Sequence, residues 1–510
     1  MLEPYVKKIL SSRVYDVSIE SPLTEARRLS TRLSAPVHFK REDLQPVFSF
    51  KCRGAYNKIA QLTAEERARG VVAASAGNHA QGVALAAQKL GIRAIIVMGR
   101  NTPSIKIDAV KSFGARVVLH GDGFDEANGY AQKLVQEEGM VFVPPFDDIY
   151  TIAGQGTVGM EILNQFHGVP GAIFVPVGGG GLAAGVAAYV KYLQPDVKMI
   201  GVEAEGSACL DAALKAGRRV RLPLDTLDLF ADGVSVSQIG KENFKVLRRY
   251  IDGVVTANTD EICAAVKDVF DDTRVLAEPS GALAIAGLKK WVAANGKRQR
   301  SRIERGLVAV VSGANVNFDR LRHISERAEI GEQREAVLGV TIPERPGSFL
   351  KFCRTLGKRT VTEFNYRFAP GVEAQVYLGV QLGDGEQPGA IVAALGDGGY
   401  RAIDMSGNEA AKLHVRFMVG GRADSEETEL LYRFEFPERP GALLKFLGGL
   451  GSRFNISLFH YRNHGSAWGR VLVGFHSEPG AQAALDAHLK QIGYRHWVES
   501  ENPAYRLFLR

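Results

Sequence analysis

The stretch Pro176-Val177-Gly178-Gly179-Gly180-Gly181-Leu182 follows an apolar run over 172–177 and precedes a helical pattern over 182–190. That order, buried strand, glycine run, helix, decides the fold. A helix N-terminus presents unpaired N–H groups and a partial positive charge, so the run reads as an anion site. It is not a P-loop, because no Gly-Lys-Ser/Thr follows, and Gly-Gly-Gly-Gly-Leu fits the dinucleotide fingerprint poorly. A flexible loop or a tight turn is the plainer alternative for glycines taken alone.

Far upstream, Lys51 stands in Val47-Phe48-Ser49-Phe50-Lys51-Cys52-Arg53-Gly54-Ala55-Tyr56, near a helix start. A lysine is usually just solvated. Paired with a phosphate cradle it offers an amine that can bind an aldehyde, and pyridoxal phosphate requires both. Two further segments converge on the same reading. Ser75-Ala76-Gly77-Asn78-His79-Ala80-Gln81-Gly82 follows a strand-like run over 70–74 and opens an Ala-rich helix, where small and amide side chains suit a carboxylate. Ser312-Gly313-Ala314-Asn315 follows the apolar run 308–311.

These four motifs, in this order, resemble those of the fold type II pyridoxal phosphate enzymes, and in particular the long biosynthetic threonine ammonia-lyases, over essentially the whole chain. The resemblance implies a tryptophan synthase β-like α/β catalytic region with parallel sheets. It implies that Lys51 binds the cofactor and then removes the substrate Cα proton. It also implies that Asn78 meets the ring hydroxyl, that Gly178, Gly179, Gly180, Gly181 and Leu182 hold the phosphate, and that Ser312 meets the ring nitrogen. Ser75, Asn78 and His79 become the candidates for the substrate carboxylate, with a packing role as the alternative for His79. Phe50 is either a wall of the cofactor site or core packing. The substrates implied are L-threonine and L-serine, deaminated to 2-oxobutanoate or pyruvate with ammonia.

Two departures from related serine racemases matter. Ala76 stands where those enzymes carry a serine that acts as the opposite-face base, which favours elimination over racemisation. Glu203 is present at their divalent-metal site, but Cys209 replaces an expected aspartate, so no required metal is expected.

Length and composition agree with this class. At roughly 150 residues per domain, 510 residues make about three units. Charged residues are 23% and apolar ones 45%, ordinary for a globular protein, and no basic block accompanies the net charge of +7, so nucleic acid is a poor partner. Four cysteines without metal or disulfide spacing suit a reducing cytoplasm, and no apolar run has membrane length. From about 20 to 325, apolar runs at 71–74, 93–97, 116–119, 173–177, 199–203 and 307–311 alternate with helical patterns, the signature of parallel strands with helical crossovers. The catalytic region is therefore placed at 1–325, and the charged segment 326–335 reads as a linker.

Beyond the linker the chain repeats itself. Residues 340–352 match 434–446 at an offset of 94, with eight of 13 positions identical, and the match resumes one residue later, Phe364-Asn365-Tyr366-Arg367 against Phe459-His460-Tyr461-Arg462. Each copy reads strand, Pro-Gly turn, helix, strand, strand, helix, strand, a ferredoxin-like α+β pattern expected over 336–415 and 430–505. The pattern is similar to the paired ACT-like domains of the same enzyme family, with a duplicated assembly module as the alternative. The resemblance implies a cytoplasmic homotetramer inhibited by isoleucine and activated by valine. Tyr366, Arg367, Tyr461 and Arg462 are the effector-site candidates, interface packing being the other role open to them. Rival readings at this point are a broad serine/threonine dehydratase or β-replacement enzyme, and an amino-acid sensor with a vestigial catalytic half.

Overall fold

The computed structural model describes residues 2–332, 334–343, 352, 355–356, 359, 361–366, 373–383, 385–417, 428–437, 455–462, 468–477 and 482–509. It divides into two compact units, Met1–Ala328 and Glu329–Arg510. The division falls inside the segment expected as a linker, whose first half continues the helix Arg320–Gly331. Charge excludes a segment from the core but does not stop it from being helical, since Arg and Glu are good helix formers.

The first unit holds two sheets. In the larger, the strands run in the order Leu23–Glu25, Val37–Arg41, Leu307–Val311, Ala172–Pro176, Lys198–Ala204 and Gly253–Ala257, parallel except for the first pair. The smaller sheet is wholly parallel: Arg116–Leu119, Ala94–Met98, Val71–Ala74, Val141–Phe142. Central strands read as continuous Val/Ile/Ala runs and are buried throughout because helices cover both faces.

Glycines let the helices around Lys51 approach one another. The helix Lys51–Ala60 crosses Ile149–Gln165 where Gly54 meets Gly154; a Cβ on Gly154 would lie 2.7 Å from both Arg53 O and Gly54 Cα. A Cβ on Gly82, in the helix Asn78–Leu90, would stand 3.0 Å from the backbone of Lys51. The motif glycines are thus packing requirements as well as sequence markers.

The same crossing carries a buried polar network. Arg53, fully buried, forks onto Glu42 (Nε–Oε2 2.7 Å) and Glu161 (Nη1–Oε1 2.5 Å). Lys40, also buried, pairs with Glu161 at 2.6 Å. The network joins the strand carrying Lys40, the short turn Glu42–Leu44 and both helices to the element that begins with Lys51.

The second unit contains two four-stranded antiparallel sheets. Their orders are Val361–Tyr366, Glu373–Gln381, Glu335–Pro343, Arg401–Asp404, and Asn455–Arg462, Trp468–Ser477, Thr428–Pro437, Arg495–Val498. Each is a ferredoxin-like arrangement, and apart from isolated residues such as Phe352 the first helix of each copy lies outside the described residues. The repeat is visible in individual bonds: Val337 N–H donates to Ser406 Oγ and, 94 residues on, Leu431 N–H donates to Ser500 Oγ; Asn408 Nδ2 meets its counterpart Asn502 Oδ1 at 3.0 Å.

Candidate functional site

Parallel sheets open their crevices at the carboxyl ends of their strands. Gly178 follows Ala172–Pro176 and Ser312 follows the neighbouring strand Leu307–Val311, so the two motifs lie side by side at one edge of the large sheet. Ser75 follows Val71–Ala74, and Val143 to Pro145 follow Val141–Phe142, at the same edge of the small sheet.

Lys51 is the first residue of its helix, and its Nζ donates to Pro145 O at 2.9 Å while lying 5.3 Å from the centre of the Phe50 ring. Burial pushes its amine down to about 8, against the opposing pull of Glu278. Near neutrality such an amine gives up its proton far more readily than an exposed lysine. Phe50 is half-buried against the apolar core of the large lobe, and its N–H donates to Ser312 O at 3.2 Å.

Gly178 to Gly181 turn over a floor of Phe146, Val234 and Ile239. A Cβ at Gly179 would overlap the Phe146 ring, one at Gly178 would stand 2.8 Å from Val234 Cα, and Gly180 has a φ of +90° that side-chain-bearing residues rarely adopt. Carbonyl groups tie the loop down: Gly179 O accepts from Asn243 Nδ2 at 2.6 Å and from Gly240 N–H at 3.1 Å. Among the described residues nothing accepts from the N–H groups of Gly178, Gly179 or Gly180. The helix Gly181–Leu193 starts directly behind them. Free donors, a helix N-terminus and no room for side chains fit a phosphate dianion, and a lysine of lowered pKa fits its aldehyde partner.

Asn78 opens the helix Asn78–Leu90. Its Nδ2 donates to Glu278 Oε1 at 2.6 Å, and its Oδ1 accepts from Asn315 Nδ2 at 2.7 Å. His79 is buried; Nε2 donates to Val143 O at 2.8 Å, which leaves Nδ1 without a partner. Burial and the Lys51 charge hold the imidazole down at about 3, so it is neutral. Ser75 is half-buried and accepts from Gly77 N–H at 3.3 Å. Ser312 Oγ donates to Ser280 O at 3.1 Å, and Ala76 is half-buried beside Gly77.

The motif reading missed Glu278, whose carboxyl burial pushes up to about 7 with help from Asp232. It also gave Asn315 no role. A recognisable signal was present: Glu278 precedes Pro279, the first residue of the helix Pro279–Asn295, and an acid just before a proline-led helix fits a helix start. Glu203 accepts from Leu210 N–H (2.7 Å) and Asp211 N–H (2.9 Å) at the start of the helix Cys209–Ala216, with burial raising it to about 7. In the second unit, Tyr366 ends one strand opposite Val376, and Tyr461 and Arg462 end the equivalent strand opposite Val471 and Arg470. Arg367 lies outside the described residues.

The arrangement defines a cofactor enzyme with an amine and a phosphate cradle in one cleft. A family model for pyridoxal-phosphate dependent enzymes matches residues 15–313, and one for the C-terminal regulatory domain of threonine dehydratase matches twice, over 326–415 and 420–509. The chain is 55% identical to the biosynthetic L-threonine dehydratase IlvA of Pasteurella multocida, over 99% of this chain and 97% of that one. It is 53% identical to the Escherichia coli protein of the same name, with the same two coverages. The processed threonine deaminase isoform 2 of Solanum lycopersicum superposes with a TM-score of 0.62 at 49% identity, over 64% of this chain and 93% of that one. A serine racemase from Dictyostelium discoideum gives 0.56 at 29%, over 61% and 99%. The chain therefore belongs to the pyridoxal-phosphate dependent enzymes, and within them to the biosynthetic threonine dehydratases with paired C-terminal regulatory domains. No helix among the described residues is long and apolar enough to cross a membrane.

Proposed function

We propose that the chain deaminates L-threonine to 2-oxobutanoate and ammonia, accepts L-serine as a second substrate, and serves isoleucine synthesis. The observation that carries this reading is the Lys51 amine, its affinity for a proton lowered by burial, in a cleft shared with the open glycine cradle. Full-length similarity to threonine dehydratases supports the choice of substrate. When bound, pyridoxal phosphate supplies an electron sink that makes a substrate Cα proton removable.

In this reading the rest is done by the chain's own residues. Lys51 would hold the cofactor, and its amine, once free, would take the substrate Cα proton. The N–H groups of 178–182 hold the phosphate. Asn78 would donate to the ring hydroxyl, and Ser312 would meet the ring nitrogen, where a hydroxyl does not enforce ring protonation as a carboxylate would. Phe50 lines the cofactor site. The N-terminus of the helix Asn78–Leu90, with Ser75 and Asn78, receives the substrate carboxylate. His79 remains a candidate for the substrate carboxylate, as a buried neutral imidazole hydrogen-bonded to Val143 O rather than as a cation. The β-hydroxyl leaves, and Ala76, where the similar racemases carry a serine, offers no side-chain acid to return a proton to Cα. The water lost in elimination is regained when the released enamine hydrolyses.

Residues 1–325 carry this chemistry, 326–335 connect, and the regions 336–415 and 430–505 bind isoleucine as inhibitor and valine as activator in a cytoplasmic homotetramer. Tyr366, Arg367, Tyr461 and Arg462 are assigned to the effector sites. The test is 2-oxo acid release from threonine by the holoenzyme, with and without isoleucine. Release that isoleucine suppresses supports the proposal; a protein that binds threonine without releasing 2-oxobutanoate overturns it.

A further inference from the structure

The two ends of an asparagine amide are chemically opposite, so the side chain works as a donor only if something fixes which end faces the ligand. Asn78 is fixed from two sides. Glu278 accepts from its Nδ2 at 2.6 Å, and Asn315 donates to its Oδ1 at 2.7 Å. Both partners are themselves anchored. Asn315 Nδ2 also donates to Val47 O at 2.8 Å, and Glu278 N–H donates to Gly313 O at 3.1 Å. A Cβ at Gly313 would stand 2.5 Å from Glu278 Oε1, so the glycine of the Ser-Gly-Ala-Asn motif makes room for this carboxyl.

Glu278 is buried, 5% exposed, and its surroundings do not favour a charge: burial and Asp232 work against it, Lys106, Arg320 and Asn78 for it. Keeping a carboxyl there is costly. A glutamine would fill the same space more cheaply, but it can turn either an oxygen or an NH2 toward Asn78; the ionised carboxyl only accepts, and in either protonation state the Asn315 donor on Oδ1 holds the Asn78 amide the same way round.

We propose that Glu278 is a positioning residue: it fixes the amide of Asn78 so that the second N–H of Nδ2, and not the carbonyl, faces the oxygen of the bound cofactor's ring. This rests on the reading that Asn78 meets the ring hydroxyl. No hydrogen bond joins Glu278 or Asn315 to the Lys51 amine, whose pKa the Glu278 charge raises; the positioning itself acts through Asn78.

The test is a double-mutant cycle read as cofactor affinity, by titrating pyridoxal phosphate into the apoenzyme and following quenching of protein fluorescence, together with the visible band of each loaded protein. Glu278→Ala should weaken binding about tenfold, the worth of one hydrogen bond, and shift the band. Glu278→Gln, which conserves shape, should weaken binding less but broaden or shift the band as the amide samples both orientations. In an Asn78→Ala background the Glu278→Ala change should add less than about twofold, because the group it positions is gone. If the full factor persists in that background, or if both Glu278 variants match the wild type in affinity and band, the proposal is overturned. If Asn78→Ala itself changes neither, the reading of Asn78 fails first, and that result is distinguishable from failure of Glu278 alone.

Discussion

Arg53→Met would test the buried network that anchors the Lys51 helix. Arg53 makes four bonds to two carboxylates, at 2.7 and 2.8 Å to Glu42 and 2.5 and 2.9 Å to Glu161, all without exposure to water. With Lys40 the cluster holds two cations and two anions. Against burial, which works the other way, Glu42 and Glu161 hold the guanidinium above its ordinary pKa. Removing Arg53 leaves one negative charge in excess in a dry site, a change that typically costs about 3–5 kcal/mol. Arg53→Met paired with Glu42→Gln restores charge balance and should recover about 1–2 kcal/mol of that loss, while Arg53→Lys keeps the charge but not the fork. Trp291 is the one tryptophan of the first unit, so with Trp468 and Trp497 replaced by Phe its fluorescence in urea reports that unit alone. A loss below about 1 kcal/mol for Arg53→Met, or no recovery in the double variant, would refute the reasoning.

Three further outcomes are expected. Gly179→Ala puts a methyl group into the Phe146 ring, and the strain, about 1–3 kcal/mol, should appear as a roughly 5- to 150-fold weaker hold on pyridoxal phosphate while circular dichroism stays unchanged. The folded pKa of Lys51 lies below the ordinary lysine value, so the charged form is disfavoured in the fold; Lys51 costs stability below about pH 8, and the cost disappears as pH rises toward 10.5. The rate of cofactor uptake by the apoenzyme should accordingly rise with pH and level off above about 8, and a midpoint near 10.5 would contradict the burial argument. Deleting 329–510, the second compact unit, should leave 2-oxobutanoate production in place but abolish its response to isoleucine, measured by the same 2-oxo acid assay.

Six strands of the first unit were legible because central strands of a parallel sheet are apolar on both faces; the runs at 93–97 and 173–177 are each displaced by one residue, to Ala94–Met98 and Ala172–Pro176, and Leu23–Glu25, Val37–Arg41, Val141–Phe142 and Gly253–Ala257 escaped the reading. The 94-residue repeat carried the second unit, because identical turns and apolar faces force identical pairing. The glycine cradle could be read in the sequence since only glycine tolerates its contacts and the φ of Gly180. What escaped the sequence was everything that depends on long-range pairing of single polar residues. Glu278 meets Asn78 across 200 positions, and Arg53 meets Glu161 across 108; no local pattern reports such a partner. The helix through Gly331 was hidden for a different reason, since polar composition was read as absence of structure.

The account turns on Lys51. Reducing the loaded enzyme with borohydride and mapping its peptides locates the amine joined to the cofactor. The label is expected on Lys51 alone, within the peptide containing Phe50-Lys51-Cys52-Arg53, and Lys51→Ala should take up no label and release no 2-oxobutanoate from threonine. A label on any other lysine, or threonine turnover by Lys51→Ala at the wild-type rate, would contradict the assignment.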